Sequence, residues 1–175
     1  MNFLPLPERF DANEWFIVAG LVCGYAVMIP LRKRFPVTVF ILTLFYGMTT
    51  AKLMDATIGF TSLNFYDIND SPKYEAMDAL LHFLYLPFAY FFVYLYDRWN
   101  VRGIYVLPYL IAYSLLGVGL EELGNLAKVF TYQKWRLVYS FTLYLYLQSL
   151  LLLYFKWLMK HYRRTKAEPD PSSKI

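Results

Sequence analysis

A single cysteine, Cys23, cannot form a disulfide within the chain, and its place inside an apolar run reads as a small buried hydrophobe. Only two histidines occur, His82 and His161, too few for the ligand sets of catalytic zinc sites. There is no glycine-rich phosphate loop. Ser114, Ser140 and Ser149 have neither nucleophile-elbow glycines around them nor an adjacent base in sequence. No internal repeat of the kind that builds many carriers is visible. These absences leave no catalytic residue, metal or cofactor to assign.

What is present is apolar surface. Of 175 residues, 58% are hydrophobic and 21% aromatic, more than a soluble core of that size can absorb, so the excess must face lipid. A helix rising about 1.5 Å per residue needs roughly 20 apolar residues to cross about 30 Å of hydrocarbon. Five runs meet that need, at 14–31, 36–58, 75–97, 103–124 and 137–159. The expected fold is all-α, a five-helix transmembrane bundle forming one domain over 1–164, with 165–175 a disordered cytoplasmic tail. Glu8, Arg9, Asp11 and Glu14 precede the first run where a signal peptide would be basic, so it reads as a retained span.

Orientation follows from lysine and arginine in the loops. With the N-terminus outside, the inner side holds Arg32, Lys33, Arg34, Arg98, Arg102, Lys156, Lys160, Arg163, Arg164, Lys166 and Lys174, against Arg9, Lys73, Lys128, Lys134 and Arg136 outside. That bias places the C-terminus in the cytoplasm. The net charge of +4 then lies against anionic lipid, and no nucleic acid is needed to explain it. Trp15, Trp99, Trp135 and Trp157 fall at span ends as interface anchors, the last two about 33 Å of helix apart. Pro30 and Pro36 bracket a short inner turn, and 59–74 is a polar outer loop. Gly20 and Gly24 permit close packing, within the molecule in preference to a dimer. Pro87 frees the carbonyl of Phe83. The tyrosines and phenylalanines of the third run, Tyr85 to Tyr96, read as lipid-facing and interfacial. Gln148 reads as an interhelical hydrogen bond.

Ionisable residues inside spans need partners, water or a task. Lys52 and Asp55 stand at i, i+3 in the second run; Glu75, Asp78 and His82 share a stripe of the third; Glu121 and Glu122 end the fourth. By helical rise all lie in or near the outer third, and ten of the thirteen carboxylates are outside or at that boundary. Two readings stand. In one, Lys52 pairs Asp55, His82 pairs Asp78, and Glu75 and Glu122 mark wetted helix ends. In the other, these seven residues form an outward polar pocket for a cation, a proton or a small headgroup.

Glu121-Glu122, a short turn, Tyr132-Gln133-Lys134-Trp135-Arg136-Leu137 and Tyr139-Ser140 resemble an uncharacterised family of small multi-spanning membrane proteins common in endospore-forming Gram-positive bacteria. The likeness extends over about 40–160, with Asp55 and Gly59 ending the second span and Tyr66 in the aromatic loop. The family supplies no activity. It implies that Asp55, Glu121, Trp135, Tyr139 and Ser140 are recurring positions, although Leu120-Glu121-Glu122-Leu123 stands where the family has Tyr-Glu-Trp; Glu121 is the favoured match. The function expected is a non-enzymatic accessory or ligand-sensing component of a bacterial plasma membrane, with the bilayer and a membrane-protein partner or a second copy as its contacts. Proton- or cation-coupled transport through Asp78, His82 and Lys52 is one alternative. Acid-base chemistry by Glu75 and Asp78 on a lipid or wall precursor is another.

Overall fold

Each apolar run is bounded by residues that stop or start a helix, and the computed structural model, which describes residues 7, 9–59, 65–68 and 76–167, shows five helices long and apolar enough to cross a membrane. They are α1 (Ala12–Leu31), α2 (Val37–Met54), α3 (Ala76–Arg98), α4 (Val106–Leu126) and α5 (Leu137–Ala167). Asp11 caps α1, its N–H donating to Glu14 Oε2 at 2.7 Å. Pro30 lies within the last turn of α1 rather than in the connection, and Pro36 caps α2. α2 ends by widening into a π turn, Asp55–Gly59. α5 runs on through 165–167, which were expected in the tail, because no proline or glycine interrupts it there; the rest of the tail, 168–175, lies outside the described residues.

The segment expected as a plain outer loop contains a strand, β1 (Tyr66–Ile68). It pairs antiparallel with β2 (Phe130–Tyr132), Tyr66 opposite Tyr132 and Ile68 opposite Phe130. The backbone N–H groups of Gln133, Lys134 and Trp135 all point to the carbonyl of Phe65, at 3.0, 3.0 and 3.1 Å. This two-stranded ribbon covers the end of the bundle where α2 and α4 finish and α3 and α5 begin, termed here the acidic end.

α3 is the central element, packed against α1, α2 and α5, while α4 lies along α5. Small residues allow this closeness. A methyl on Gly20 would meet Leu84, one on Gly24 would meet Pro87, and one on Gly47 would meet Ala89 Cβ at 2.7 Å and the Tyr85 carbonyl at 2.9 Å. The Gly20/Gly24 pair therefore packs within the molecule, against α3.

The tyrosines are the glue. Tyr46 donates to the Leu147 carbonyl (2.8 Å), Tyr90 to Leu31 (2.6 Å), Tyr113 to Phe88 (2.8 Å) and Tyr109 to Phe92. Tyr25 donates at 3.0 Å to Phe83, the carbonyl that Pro87 leaves without a helical partner. Tyr90 and Phe92 are wholly buried in a core that includes Phe35, Val39 and Phe155. The expectation that the aromatic residues of α3 face lipid is thus corrected: in hydrocarbon a phenol hydroxyl needs an acceptor, and neighbouring helices supply it. A second core, around Ile17, Leu81 and Val129, lies toward the acidic end.

Candidate functional site: a cavity with two carboxylates

Toward the acidic end lies a partly open cavity of about 110 Å³ lined by α2, α3 and α5, reached from α4 by Glu121 alone and bordered by the ribbon. Its wall is mainly apolar and aromatic, and among the described residues no lysine or arginine lines it. Two carboxylates meet its polar end, each positioned by a different local device.

Asp55 sits where α2 turns to π geometry, a feature frequent at functional positions because it re-aims one side chain. Its Oδ1 accepts from the Tyr66 hydroxyl at 2.6 Å, and its Oδ2 is 3.1 Å from His82 Nε2. His82 Nδ1 lies 2.5 Å from the backbone carbonyl of Asp78, one turn back on α3. Both ring nitrogens therefore face oxygen atoms, Nδ1 on its own helix and Nε2 across to α2.

Glu121 is held by hydroxyls. Its Oε1 accepts from Tyr132 (2.7 Å) and Ser140 (2.6 Å), its Oε2 from Tyr144 (2.7 Å). Trp135 Nε1 donates to Ser140 Oγ at 2.7 Å, which extends the chain to the indole. Burial, and then the neighbouring carboxylate, raise the Tyr66 and Tyr132 phenols well above their usual range, so both remain donors at any physiological pH. Three hydroxyls thus converge on the Glu121 carboxylate, with no lysine or arginine lining the cavity among the described residues.

Deeper in the cavity Gln148, 4% exposed, accepts from Ser114 Oγ at 3.1 Å, as expected of an interhelical bond. Its amide nitrogen is buried with no hydrogen-bond partner among the described residues. An orphaned donor at a cavity wall is costly unless something occupies the cavity.

The residues singled out in the sequence divide as follows. Asp55 and Glu121 line the cavity, and His82 supports Asp55 from behind. Asp78 is buried but contributes its carbonyl, not its carboxylate, to His82; the proposed His82–Asp78 side-chain pair is replaced by His82–Asp55 across two helices. Lys52 is exposed on α2, while Asp55 accepts from Tyr66 and lies against His82. Glu122 turns away to Asn125 Nδ2 at 3.3 Å. Glu75 lies outside the described residues. Trp15 and Trp99 are 61% and 64% exposed at helix ends and Trp157 is 53% exposed within α5, well before its end at Ala167, whereas Trp135 is partly buried in the cavity wall against Phe65, Tyr66 and Tyr139. Its indole N–H needs an acceptor, and Ser140 provides one. Ser140, which has no base nearby in sequence, gains Glu121 from α4.

Tyr66, Tyr85, Tyr132 and Tyr144 were not anticipated. Helical spacing carried a signal for two of them: Tyr85 continues the Asp78–His82 stripe, and Ser140, Tyr144 and Gln148 stand at i, i+4, i+8 of α5. Of the five positions highlighted by the resemblance, Asp55, Glu121, Trp135 and Ser140 line this one cavity, and Tyr139 packs on Trp135. Among the described residues no group of three histidine, cysteine or carboxylate side chains is placed to hold a metal. No family model, curated protein or solved structure matches this chain at significant similarity.

Proposed function

We propose that this protein is a non-enzymatic ligand-binding component of a bacterial plasma membrane, accessory or sensory in role, and that its cavity takes a small organic cation or the ammonium head of a lipophilic amine. The observation that carries this reading is the half-buried carboxylate of Glu121 at the polar end of an aromatic-walled cavity that, among the described residues, no lysine or arginine lines. A cation gains both from that charge and from the faces of aromatic side chains such as Tyr85, Phe88 and Trp135. The Gln148 amide would donate to an acceptor on the bound molecule or on its water. The excess of lysine and arginine at the opposite end supports an outward-facing cavity, with the N-terminus outside and the C-terminus cytoplasmic.

Catalysis is a weaker reading of the same atoms. Ser140 gives its proton to Glu121 and accepts from Trp135, so both sides of the hydroxyl are engaged in support of the carboxylate. Cation-coupled transport draws on the His82–Asp55 pair beside the cavity and is told apart by flux.

Thermal unfolding in detergent tests the proposal with tetramethylammonium, choline and dodecylamine beside dodecanol and dodecanoate. The amines should raise the unfolding midpoint, by about 2.7 kcal/mol of stability at a hundredfold excess over Kd, while dodecanoate does not. Gln148→Leu, which replaces the orphaned donor by an apolar side chain of similar size, should abolish the response while keeping the fold. Equal stabilisation by alcohol, acid and amine would remove the cation from the account. Movement of a bound amine into protein-containing vesicles would replace the accessory role by transport.

A further inference from the structure

The opposite end of the bundle holds a second concavity, chemically the reverse of the first. A cleft of about 470 Å³ opens between the turn joining α3 to α4 and the far end of α5. We propose that it is a binding site for the phosphate of an anionic lipid headgroup.

Length puts the cleft at headgroup level. α5 has 31 residues, about 46 Å of helix, against about 30 Å of hydrocarbon, so its last turns must stand clear of the apolar layer. Those turns bear Lys156, Lys160 and Arg164 at i, i+4 and i+8, one face of the helix, with Arg163 beside them. All four line the cleft, and Arg102 faces them from the α3–α4 turn. Asn100 (φ +50°) and Gly103 (φ +56°) adopt the left-handed region on either side of Arg102, which fixes the turn that presents it.

Five cations are gathered, and among the described residues the cleft is lined by one carboxylate, Asp97. α5 contains no aspartate or glutamate over its whole length. The carboxylate in the cleft, Asp97, is already taken by Arg34, with Nη2 2.6 Å from Oδ2 and Nε donating to the same oxygen at 2.7 Å. Lys156 lies with its Nζ 5.4 Å from the centre of the Tyr96 ring, which holds it toward the cleft rather than into bulk water. Phe155 and Met159 contribute apolar wall between the charges. Cations around an opening with an apolar wall match a lipid phosphate with its glycerol and first chain carbons, and a phosphate oxygen is the acceptor that lysine and arginine donors bind best. This site is independent of the cavity at the acidic end, and neither depends on the other being occupied.

The test is lipid binding by the purified full chain, read by native mass spectrometry from detergent micelles doped with phosphatidylglycerol or phosphatidylcholine, with inorganic phosphate as a third arm. Phosphatidylglycerol should bind in preference, and Lys160→Gln/Arg164→Gln should weaken it roughly thirtyfold, as two charges near a surface predict. Arg32→Gln/Lys33→Gln, at the same end but outside the cleft, should weaken it far less. Inorganic phosphate binding that is lost in the cleft variant alone would support the phosphate site with a soluble source. Equal binding of the two lipids, or equal losses in the two double variants, would overturn the site in favour of diffuse surface attraction. Both substitutions are on exposed residues, and an unchanged unfolding midpoint confirms that each variant is folded.

Discussion

Glu121→Ala will destabilise the bundle by between about 2 and 6 kcal/mol. Three hydroxyls, from Tyr132, Ser140 and Tyr144, converge on this carboxylate from β2 and α5. Alanine strands all three. Side-chain hydrogen bonds within membranes average about 0.6 kcal/mol, which sets the lower figure, while a buried donor left unsatisfied costs about 1–3 kcal/mol, which sets the upper. Because α4 reaches the cavity through this residue alone, the loss also loosens the attachment of α4 and the ribbon to α5. Glu121→Gln keeps one acceptor oxygen and should cost less. Tyr144→Phe removes one bond and should cost about 1 kcal/mol. Unfolding by denaturing detergent, monitored by circular dichroism, measures each. A Glu121→Ala protein as stable as wild type would show that the hydroxyls find other acceptors and that the carboxylate does not organise this end.

His82→Leu comes second in expected effect. It removes the His82 partner of Asp55 and leaves a carboxylate 6% exposed with, among the described residues, Tyr66 donating to it. Breaking one side of a buried ion pair costs about 3–5 kcal/mol, whereas replacing both sides by apolar groups can be close to neutral. His82→Leu should therefore be more damaging alone than in combination with Asp55→Leu, a coupling that a double-mutant cycle in detergent reads directly. Additive losses would mean that His82 and Asp55 act separately, and would return attention to the contact between His82 and Asp78 on a single helix.

The spans were legible because lipid imposes a simple condition, a run of about 20 apolar residues, and aromatic-rich segments satisfy it whatever they pack against. The partners of the polar residues were not legible, for reasons that differ from one residue to the next. His82 stands one turn from Asp78, a spacing that suggests a side-chain pair, but its Nδ1 takes the backbone carbonyl and the ring points across to α2. Asp55 and Lys52 share a helix face by spacing, yet the π turn begins at Asp55 and changes its direction. Strands of three residues are too short to show a period, so β1 and β2 were hidden in what reads as a loop. The tyrosines carried the least visible information. A phenol ring counts as apolar in any hydropathy reading, while its hydroxyl bonds a carbonyl up to 101 positions away in sequence, as Tyr46 does with Leu147. Gln148, by contrast, was read correctly as an interhelical bond; only its unpaired nitrogen needed the structure.

Occupancy of the cavity by a cation is most directly measured by the fluorescence of Trp135, which lines it, in a protein whose Trp15, Trp99 and Trp157 are replaced by phenylalanine. On titration with a spin-labelled alkylammonium the emission should quench to a plateau, recover on addition of tetramethylammonium, and stay unquenched in the Gln148→Leu background. Quenching that rises without saturation, resists competition and is unaltered by Gln148→Leu would mean that the probe reaches Trp135 from the bilayer and that the cavity holds no cation.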